Sequence, residues 1–297
     1  MFVVKYRRIF YTLAIIMVVL SLVAIFGLGL NLGIDFMGGT IAEGRYEGDR
    51  PAIGEIKTAL AAAGFKDVLV QPAGEKSIIV RLPSVSETEK SRLAETLSLK
   101  GKAPLSVDRL SSIGPTISGE LAKRSLIAIG LVVILIVLFI AFAFRHVSEP
   151  VSSWKYGIIA LVALVHDIII PTGIFAVLGY YRGVEIDALY LTAILTILGI
   201  SIHDTIVVFD RIRENLKNRI SPDFEETVGR SLSQTFARSI NTSLTVILVL
   251  LAVYFLGGST TKNFALALTV GIAVGTYSSI FVASPLLVTW NNWSKRS

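Results

Sequence analysis

Six long apolar runs constrain this chain more than any other feature of its sequence. A membrane-spanning helix needs about 20 mostly apolar residues, and runs of this kind lie at 10–30, 124–144, 156–179, 187–209, 240–257 and 264–290. Only 17% of the residues are charged and 53% are hydrophobic, whereas soluble domains carry roughly a quarter charged residues. The sequence therefore predicts a polytopic α-helical membrane protein with six transmembrane helices and excludes a soluble enzyme.

The distribution of Lys and Arg predicts how these spans are oriented. Thirteen of these cations lie in segments 1–9, 145–155, 210–239 and 291–297, while the short loops of the opposite side carry only Arg182 and Lys262. Cytoplasmic loops are enriched in Lys and Arg, so we expect both termini to be cytoplasmic. The first apolar run is too long for a signal-peptide core and lacks a cleavage site, which favours an uncleaved first span.

Segment 31–123 predicts one small domain outside the membrane. Strands are expected at 40–46, 68–71, 77–82 and 105–111, and helices at 51–63 and 86–97. The order β-α-β-β-α-β is typical of the split βαβ arrangement of ferredoxin-like α+β domains.

The predicted cytoplasmic loop 210–239 contains an amphipathic helix. Its apolar residues recur at every fourth position, namely Phe224, Val228, Leu232, Phe236 and Ile240. Such a stripe is compatible with a helix on the inner membrane surface, and equally with a helix packed against other helices.

Two carboxylates lie well inside the predicted spans, and each follows a histidine. Asp167 belongs to the third span and Asp204 to the fourth. Charged groups at membrane depth are costly and are commonly functional. Asp167 precedes Pro171 by four residues, so its carbonyl loses its helical partner there and the helix can kink.

Asp204 has the surroundings expected of an ion relay. Ser201, Thr205 and Val208 share its helix face, and Arg238 enters the fifth span from the same side. A carboxylate among hydroxyls, with a cation close by, can alternate between protonated and ionised forms. The alternative is a buried structural ion pair that locks two helices together.

Enzymatic and metal chemistry find little support in the sequence. The chain has no cysteine, which excludes disulfides, zinc-thiolate sites and iron–sulfur clusters. Of its three histidines, His146 is placed in a cytoplasmic loop, and neither HExxH, a nucleophile elbow nor a P-loop occurs. We therefore expect no enzyme activity, no metal and no cofactor. The net charge of +6 reflects the cytoplasmic loops and predicts no nucleic-acid partner.

The sixth span carries small residues at four-residue spacing. These are Ala267, Gly271, Gly275 and Ser279. Such a stripe allows close helix approach, either within this chain or with a partner subunit.

Three motifs, in order along the chain, resemble the SecD/SecF family of bacterial protein-export membrane proteins, and in particular its SecF members. Segment 33–40, GIDFMGGT, resembles the family's Gly-Ile-Asp-Phe-x-Gly-Gly motif. Segment 201–215, SIHDTIVVFDRIREN, resembles its fourth-span signature, and segment 238–244, RSINTSL, resembles the entry to its fifth span. The six spans and the outer domain after the first extend the resemblance over the whole chain.

The resemblance implies a member of the resistance–nodulation–division superfamily in the bacterial plasma (inner) membrane. The implied role is to pair with SecD beside the SecYEG channel. There it would use the transmembrane ion gradient to pull an exported preprotein outward after SecA has acted. The alternatives are a small-molecule or lipid exporter of the same superfamily, and a scaffold without transport activity.

The resemblance also implies roles for individual residues. Asp204 matches the family's relay aspartate and Arg238 its partner arginine. Supporting relay positions are His203, Ser201, Thr205, His166 and Asp167, and the cytoplasmic end of the fourth helix is marked by Asp210 and Arg211.

Two features of the family motifs leave alternatives open. The family usually has Asn at the position of His203, which leaves both H⁺ and Na⁺ as candidate coupling ions. Gly33, Asp35, Gly38 and Gly39 are expected at a joint below the outer domain, where glycine serves a hinge or a static turn equally well.

Overall fold

The structure is a computed structural model that describes residues 2–145 and 151–295. His146 and the last two residues of the predicted C-terminal segment lie outside the described residues. The chain divides into two compact units, one formed by Leu32–Leu126 and the other by Met1–Asn31 together with Ile127–Ser297.

The secondary-structure elements follow one another without long irregular segments. In chain order they are α1 (Phe2–Lys5), α2 (Arg7–Leu28), α3 (Ile34–Met37), β1 (Gly39–Tyr46), α4 (Ile53–Ala62), β2 (Leu69–Ala73), β3 (Ser77–Leu82), α5 (Glu87–Leu97), β4 (Leu105–Ile113), α6 (Pro115–Ala143), α7 (Ser153–Arg182), α8 (Ala188–Lys217), α9 (Phe224–Leu256), α10 (Ser259–Tyr277), a π-helical segment (Ser278–Ala283) and α11 (Ser284–Ser294).

Six helices among the described residues are long and apolar enough to cross a membrane. Five of them are α2, α6, α7, α8 and α9, and the sixth runs through α10, the π-helical segment and α11. This confirms the predicted six-helix membrane architecture.

Helix α9 is a single 33-residue helix. It begins at an N-cap in which Asp223 accepts hydrogen bonds from the amides of Glu225 and Glu226, and it continues without interruption into the fifth apolar run. Phe224, Val228 and Leu232 are buried in the core of the bundle. The structure therefore favours the packed amphipathic helix over a separate helix on the membrane surface.

The small unit contains a four-stranded antiparallel sheet with strand order β2-β3-β1-β4. In each βαβ crossover a further strand is inserted, β3 between β1 and β2, and β1 between β3 and β4. This is the split βαβ arrangement expected from the element order, and it confirms the predicted α+β fold. Its core joins Ile56 and Leu60 of α4, and Leu93 and Leu97 of α5, to the sheet.

Two side chains fix helix α5 to its surroundings. The Ser86 amide and hydroxyl donate to Glu89 Oε2 at 2.9 and 2.8 Å, and these bonds hold the pKa of the Glu89 carboxyl below its usual range. At the other end of α5, the buried Tyr46 hydroxyl donates to the Leu97 carbonyl at 3.0 Å. Burial raises the pKa of Tyr46.

Candidate functional site

The predicted relay residues of the fourth span occupy one buried helix face. Ser201, Asp204, Thr205 and Val208 are all buried on α8, as their spacing predicts. Thr205 and Val208 have no exposed surface, and Asp204 is 5% exposed. A carboxylate is therefore held at mid-helix inside the bundle.

The small-residue stripe of the sixth span packs against this face of α8. A Cβ atom built on Gly271 would lie 2.1 Å from Ile197 Cδ1, and one built on Gly275 would lie 2.9 Å from Ser201 Cβ. Both distances are too short for a real side chain. Of the two uses considered for the stripe, the structure shows close packing within the chain at these two glycines.

Asp167 is surrounded by hydrogen-bond donors. It is completely buried, and its Oδ2 accepts hydrogen bonds from the hydroxyl of Ser201 on α8 and, at 2.8 Å, from the hydroxyl of Ser278 in the π-helical segment. The other oxygen, Oδ1, lies 2.8 Å from His166 Nδ1. The carboxylate thus joins α7, α8 and the sixth span through three polar partners.

The second ring nitrogen of His166 is left without a partner. His166 is 5% exposed, and among the described residues its buried Nε2 has no hydrogen-bond partner. The ring stacks with Tyr277, with centroids 6.2 Å apart. With Asp167 ionised, Nδ1 carries the proton that faces Oδ1, and Nε2 is an acceptor in apolar surroundings.

Asp204 is bonded far more weakly than Asp167. Its carboxylate accepts a long hydrogen bond from the Ser243 hydroxyl at 3.4 Å, and the Thr276 hydroxyl and the His203 side chain also lie near it. The Ser243 hydroxyl also donates to the Ser239 carbonyl at 2.9 Å and accepts a 2.6 Å bond from Thr276. Asp204 therefore sits in a buried site that provides little stabilisation for a charge.

The π-helical segment brings the Ser278 hydroxyl of the sixth span to Asp167. Pro285 lies just after it and has no N–H to continue the α-helical ladder, while the Ser284 hydroxyl donates to the Ser279 carbonyl five residues back. Ser278 reaches Asp167, and the Ser279 hydroxyl lies 2.9 Å from Thr205 Oγ1. Thr276 lies in α10, two residues before this segment. Its hydroxyl donates to the Ser243 hydroxyl, which in turn donates to Asp204.

Sequence reasoning missed these hydroxyl groups on the sixth span. The signal that could have found them is the cluster Thr276, Ser278 and Ser279, followed by Ser284-Pro285, inside an apolar helix. A proline in such a place is a recognised cause of local irregularity and of exposed carbonyls.

Arg238 does not contact Asp204 in this structure, contrary to the proximity expected from the sequence. Both residues are described, and no hydrogen bond or ion pair joins them. On α9 the buried face carries Ser239 and Ser243, and Arg238 is five residues before Ser243, about 140° away around the helix. Its side chain is exposed.

Arg238 instead lines a polar cleft of about 360 Å³ between α8 and α9, one turn beyond Asp204. Its other lining residues are Val207, Asp210, Arg211, Glu214, Gln234 and Thr235. Asp210 forms an ion pair with Arg213. Arg211 donates to Glu214 Oε2 and Gln234 Oε1, both at 2.6 Å. Asp210 and Arg211 thus act at the end of α8 as ion-pairing groups, and Arg211 also ties this end to α9.

The remaining predicted residues are placed as follows. His203 is exposed on α8 and lies close enough to Asp204 to act on its carboxyl electrostatically. Gly38 (φ +75°) and Gly39 (φ +118°) adopt conformations that favour glycine at the turn from α3 into β1. Gly33 precedes α3 in an extended conformation, and Asp35 lies in its first turn. The turn accounts for the two adjacent glycines, and the hinge stays a prediction.

No cluster of three or more His, Cys, Asp or Glu side chains suited to a metal ion occurs within residues 2–145 and 151–295. The chemistry that this arrangement can perform is therefore proton or cation exchange at single carboxyl groups.

Comparison with known proteins identifies close relatives over the whole chain. Residues 94–293 match the family described as "Protein export membrane protein SecD/SecF, C-terminal", and residues 23–43 match "SecD/SecF GG Motif". Protein translocase subunit SecF of Thermobaculum terrenum is 46% identical over 98% of this chain and 94% of its own length. Protein translocase subunit SecF of Pseudomonas aeruginosa is 35% identical over 96% of this chain and 90% of its own length. The crystal structure of SecDF, a translocon-associated membrane protein from Thermus thermophilus, is 35% identical, with a TM-score of 0.82 over 97% of this chain and 38% of the larger chain.

Proposed function

Because this chain belongs to the SecD/SecF family of protein-export membrane proteins and has a role in protein export, we propose that it couples ion movement to that export. The coupling group is the Asp204 carboxyl, which takes up and releases a proton. One charge that crosses 100 mV of membrane potential supplies about 2.3 kcal/mol, so a few ions suffice for a conformational cycle.

The observation that carries this proposal is the weak bonding of Asp204 inside the bundle. A buried carboxylate whose hydrogen bond from Ser243 is 3.4 Å long gains little from ionisation and loses most of its hydration. A carboxylate of this kind can exist in a neutral and a charged form, and each form prefers different neighbours. Asp167, with three polar partners, keeps one form while Asp204 changes between its neutral and charged forms.

Arg238 and the polar cleft provide the route between Asp204 and water. The cleft begins at Val207, one helical turn from Asp204, and Arg238 is a mobile cation on a long side chain at its wall. When Asp204 releases its proton, the new negative charge attracts the guanidinium group and favours a rotation of α9 relative to α8. We propose this motion as the step that transmits ion binding to the rest of the molecule, with H⁺ as the ion.

Pairing with SecD is supported by a polar stripe on the outer face of α8. Thr192, Thr196, Gly199, His203 and Asp210 are all exposed at spacings of three, four or seven residues along this helix. Small and hydroxyl-bearing residues on a membrane-spanning helix are typical of a helix–helix contact. We propose that a SecD helix covers the stripe, with both termini of this chain in the cytoplasm, beside SecYEG and downstream of SecA.

The test measures export into membrane vesicles that contain this chain and its translocation partners. ATP is kept constant, and an ion gradient is imposed or withheld. We expect the gradient to accelerate export of a preprotein with the wild-type chain and to have no effect with Asp204→Asn. Asp49→Asn, which removes an exposed carboxylate of the small unit, is the matched control and should respond as wild type does.

Three other outcomes would contradict the proposal or part of it. A full response of Asp204→Asn to the gradient would exclude Asp204 as the coupling group. A response to an Na⁺ gradient but not to a pH gradient would replace H⁺ by Na⁺. If the gradient instead drives efflux of a small hydrophobic dye and leaves preprotein export unchanged, the exporter alternative is correct.

A further inference from the structure

An apolar groove runs along the outside of the bundle between α2 and α7. It has a volume of about 380 Å³, and most of its lining is aliphatic, with the polar groups of Tyr11 and His166 as exceptions. On α2 the lining includes Ile15, Val18 and Val19, and on α7 it includes Val165 and Ile169. In a membrane such a groove faces hydrocarbon.

The groove is closed at its deep end. A Cβ atom built on Gly173 of α7 would lie 2.3 Å from Ser21 Cβ of α2, so the two helices touch just beyond Val19 and Ile169. From Tyr11 to Ser21 the groove spans ten residues of helix, or roughly 15 Å. That length equals one leaflet of a hydrocarbon core of about 30 Å.

The groove opens at the end of the bundle where aromatic residues cluster. A second depression of about 220 Å³ is lined by Leu286, Thr289, Trp290 and Trp293 and shares Leu286 with the groove. The Tyr11 hydroxyl lies 3.1 Å from Thr289 Oγ1 at the junction of the two. Trp and Tyr side chains prefer the boundary between hydrocarbon and headgroups.

Two cations lie at this open end. Arg8 is three residues before Tyr11 and so shares its face of α2. It is exposed, and no hydrogen bond or ion pair of its side chain occurs within the described residues. Lys155 Nζ donates to Ser294 Oγ at 2.9 Å and lies within 6 Å of the Trp154 and Trp290 ring centroids. The nearby Glu225 is already paired with Arg7 at 2.8 Å.

We propose that this groove binds one anionic phospholipid, with an acyl chain between α2 and α7 and the phosphate group near Arg8 and Lys155. The one-leaflet length, the aliphatic lining and the cations at the open end together fit this class of ligand. A polypeptide segment fits poorly, because the groove wall has few groups for its backbone N–H and C=O. The seated acyl chain would cover the outer side of His166, directly behind Asp167.

Native mass spectrometry of the purified full chain tests the proposal. The chain is mixed with equal amounts of phosphatidylglycerol and phosphatidylcholine that have identical acyl chains. We expect one phosphatidylglycerol to be retained preferentially. Each cation near a membrane surface changes the affinity for anionic lipid about fivefold, so Arg8→Gln and Lys155→Gln should each reduce the preference by about that factor. Lys217→Gln, at an exposed lysine of α8, should leave it unchanged.

A second pair of variants tests the groove itself. Val165→Phe fills the groove at a residue that is 43% exposed and should reduce phosphatidylglycerol retention, whereas Val249→Phe on α9, 60% exposed, should not. Val19→Phe replaces Val165→Phe if that variant melts at a lower temperature than wild type. Equal retention of the two lipids by wild type, or unchanged retention in the groove-filling variant, would overturn the proposal. Neither result depends on whether the chain couples ions to export.

Discussion

Asp167 and Asp204 are both carboxylates buried at mid-helix, yet their surroundings are opposite. Asp167 has a histidine and two serine hydroxyls within hydrogen-bond distance, supplied by three different parts of the bundle. Asp204 has a long bond from a serine hydroxyl that already donates to a backbone carbonyl. Burial at mid-helix therefore does not by itself determine the role of a carboxylate.

The number of donors is what separates the two roles. A charge with several fixed donors is stabilised in one form and holds its helices together. A charge with few donors has two forms of similar free energy, which a relay needs. Three pairs of variants test this distinction.

The same substitution at the two sites should have very different effects on stability. Asp167→Asn places an amide N–H₂ group among donors and should lower the free energy of unfolding by about 3 kcal/mol, as expected for a broken buried charge network. Asp204→Asn resembles the neutral acid and should cost less than about 1 kcal/mol. Unfolding in mixed detergent micelles measures both, and equal losses would contradict the distinction.

Removing one hydroxyl from each site gives a finer comparison. Ser278→Ala deletes a 2.8 Å bond to Asp167 and should cost about 1.5 kcal/mol, the lower range for a hydrogen bond to a charged group. Ser243→Ala deletes the 3.4 Å bond to Asp204 and the 2.6 Å bond from Thr276. Because the Thr276 hydroxyl can still donate to the Ile272 carbonyl, the variant should cost about 0.5 kcal/mol, near the average for such bonds in membranes. If Ser243→Ala proves the more destabilising variant, Asp204 is held more firmly than its geometry indicates.

The third comparison crowds the Asp167 site without changing its chemistry. Gly275→Ala adds a Cβ 2.9 Å from Ser201 Cβ, which displaces the hydroxyl that bonds Asp167 and should cost about 1 kcal/mol. Gly199→Ala, where a Cβ has open space, is the control and should be neutral or slightly stabilising. The melting temperatures of the two variants provide the measurement, and equal shifts would show that Ser201 is not held tightly.

Much of the fold could be predicted because its signals are local. Apolar run lengths give the six spans, and the alternation of turn and strand residues gives the β-α-β-β-α-β order. The buried face of α8 follows from the spacing of Ser201, Asp204 and Thr205 alone, since helical periodicity fixes which residues share a face.

The partners of the carboxylates could not be predicted in the same way. Asp167 receives its donors from residues 34 and 111 positions away, and no local pattern encodes such a meeting. The position of Arg238 is a different case. Its angular offset from Ser239 and Ser243 follows from the helical repeat, so its separation from Asp204 could have been derived once α9 is treated as one unbroken helix.

The π-helical turn at Ser278–Ala283 also sets the phase of the sixth span. Each residue of an α-helix advances the chain by about 100°, and a π turn holds one residue more than the α turn it replaces. If the same residues formed a regular α-helix there, α11 would therefore be rotated by about a quarter of a turn relative to α10. The hydroxyls before the turn would keep their carboxylates, while Trp290 and Trp293 would face a different side of the bundle. The extra residue of the π turn therefore sets the direction of α11 around the helix axis. It determines which side of the bundle the tryptophans of α11 face when the hydroxyls before α11 face the carboxylates.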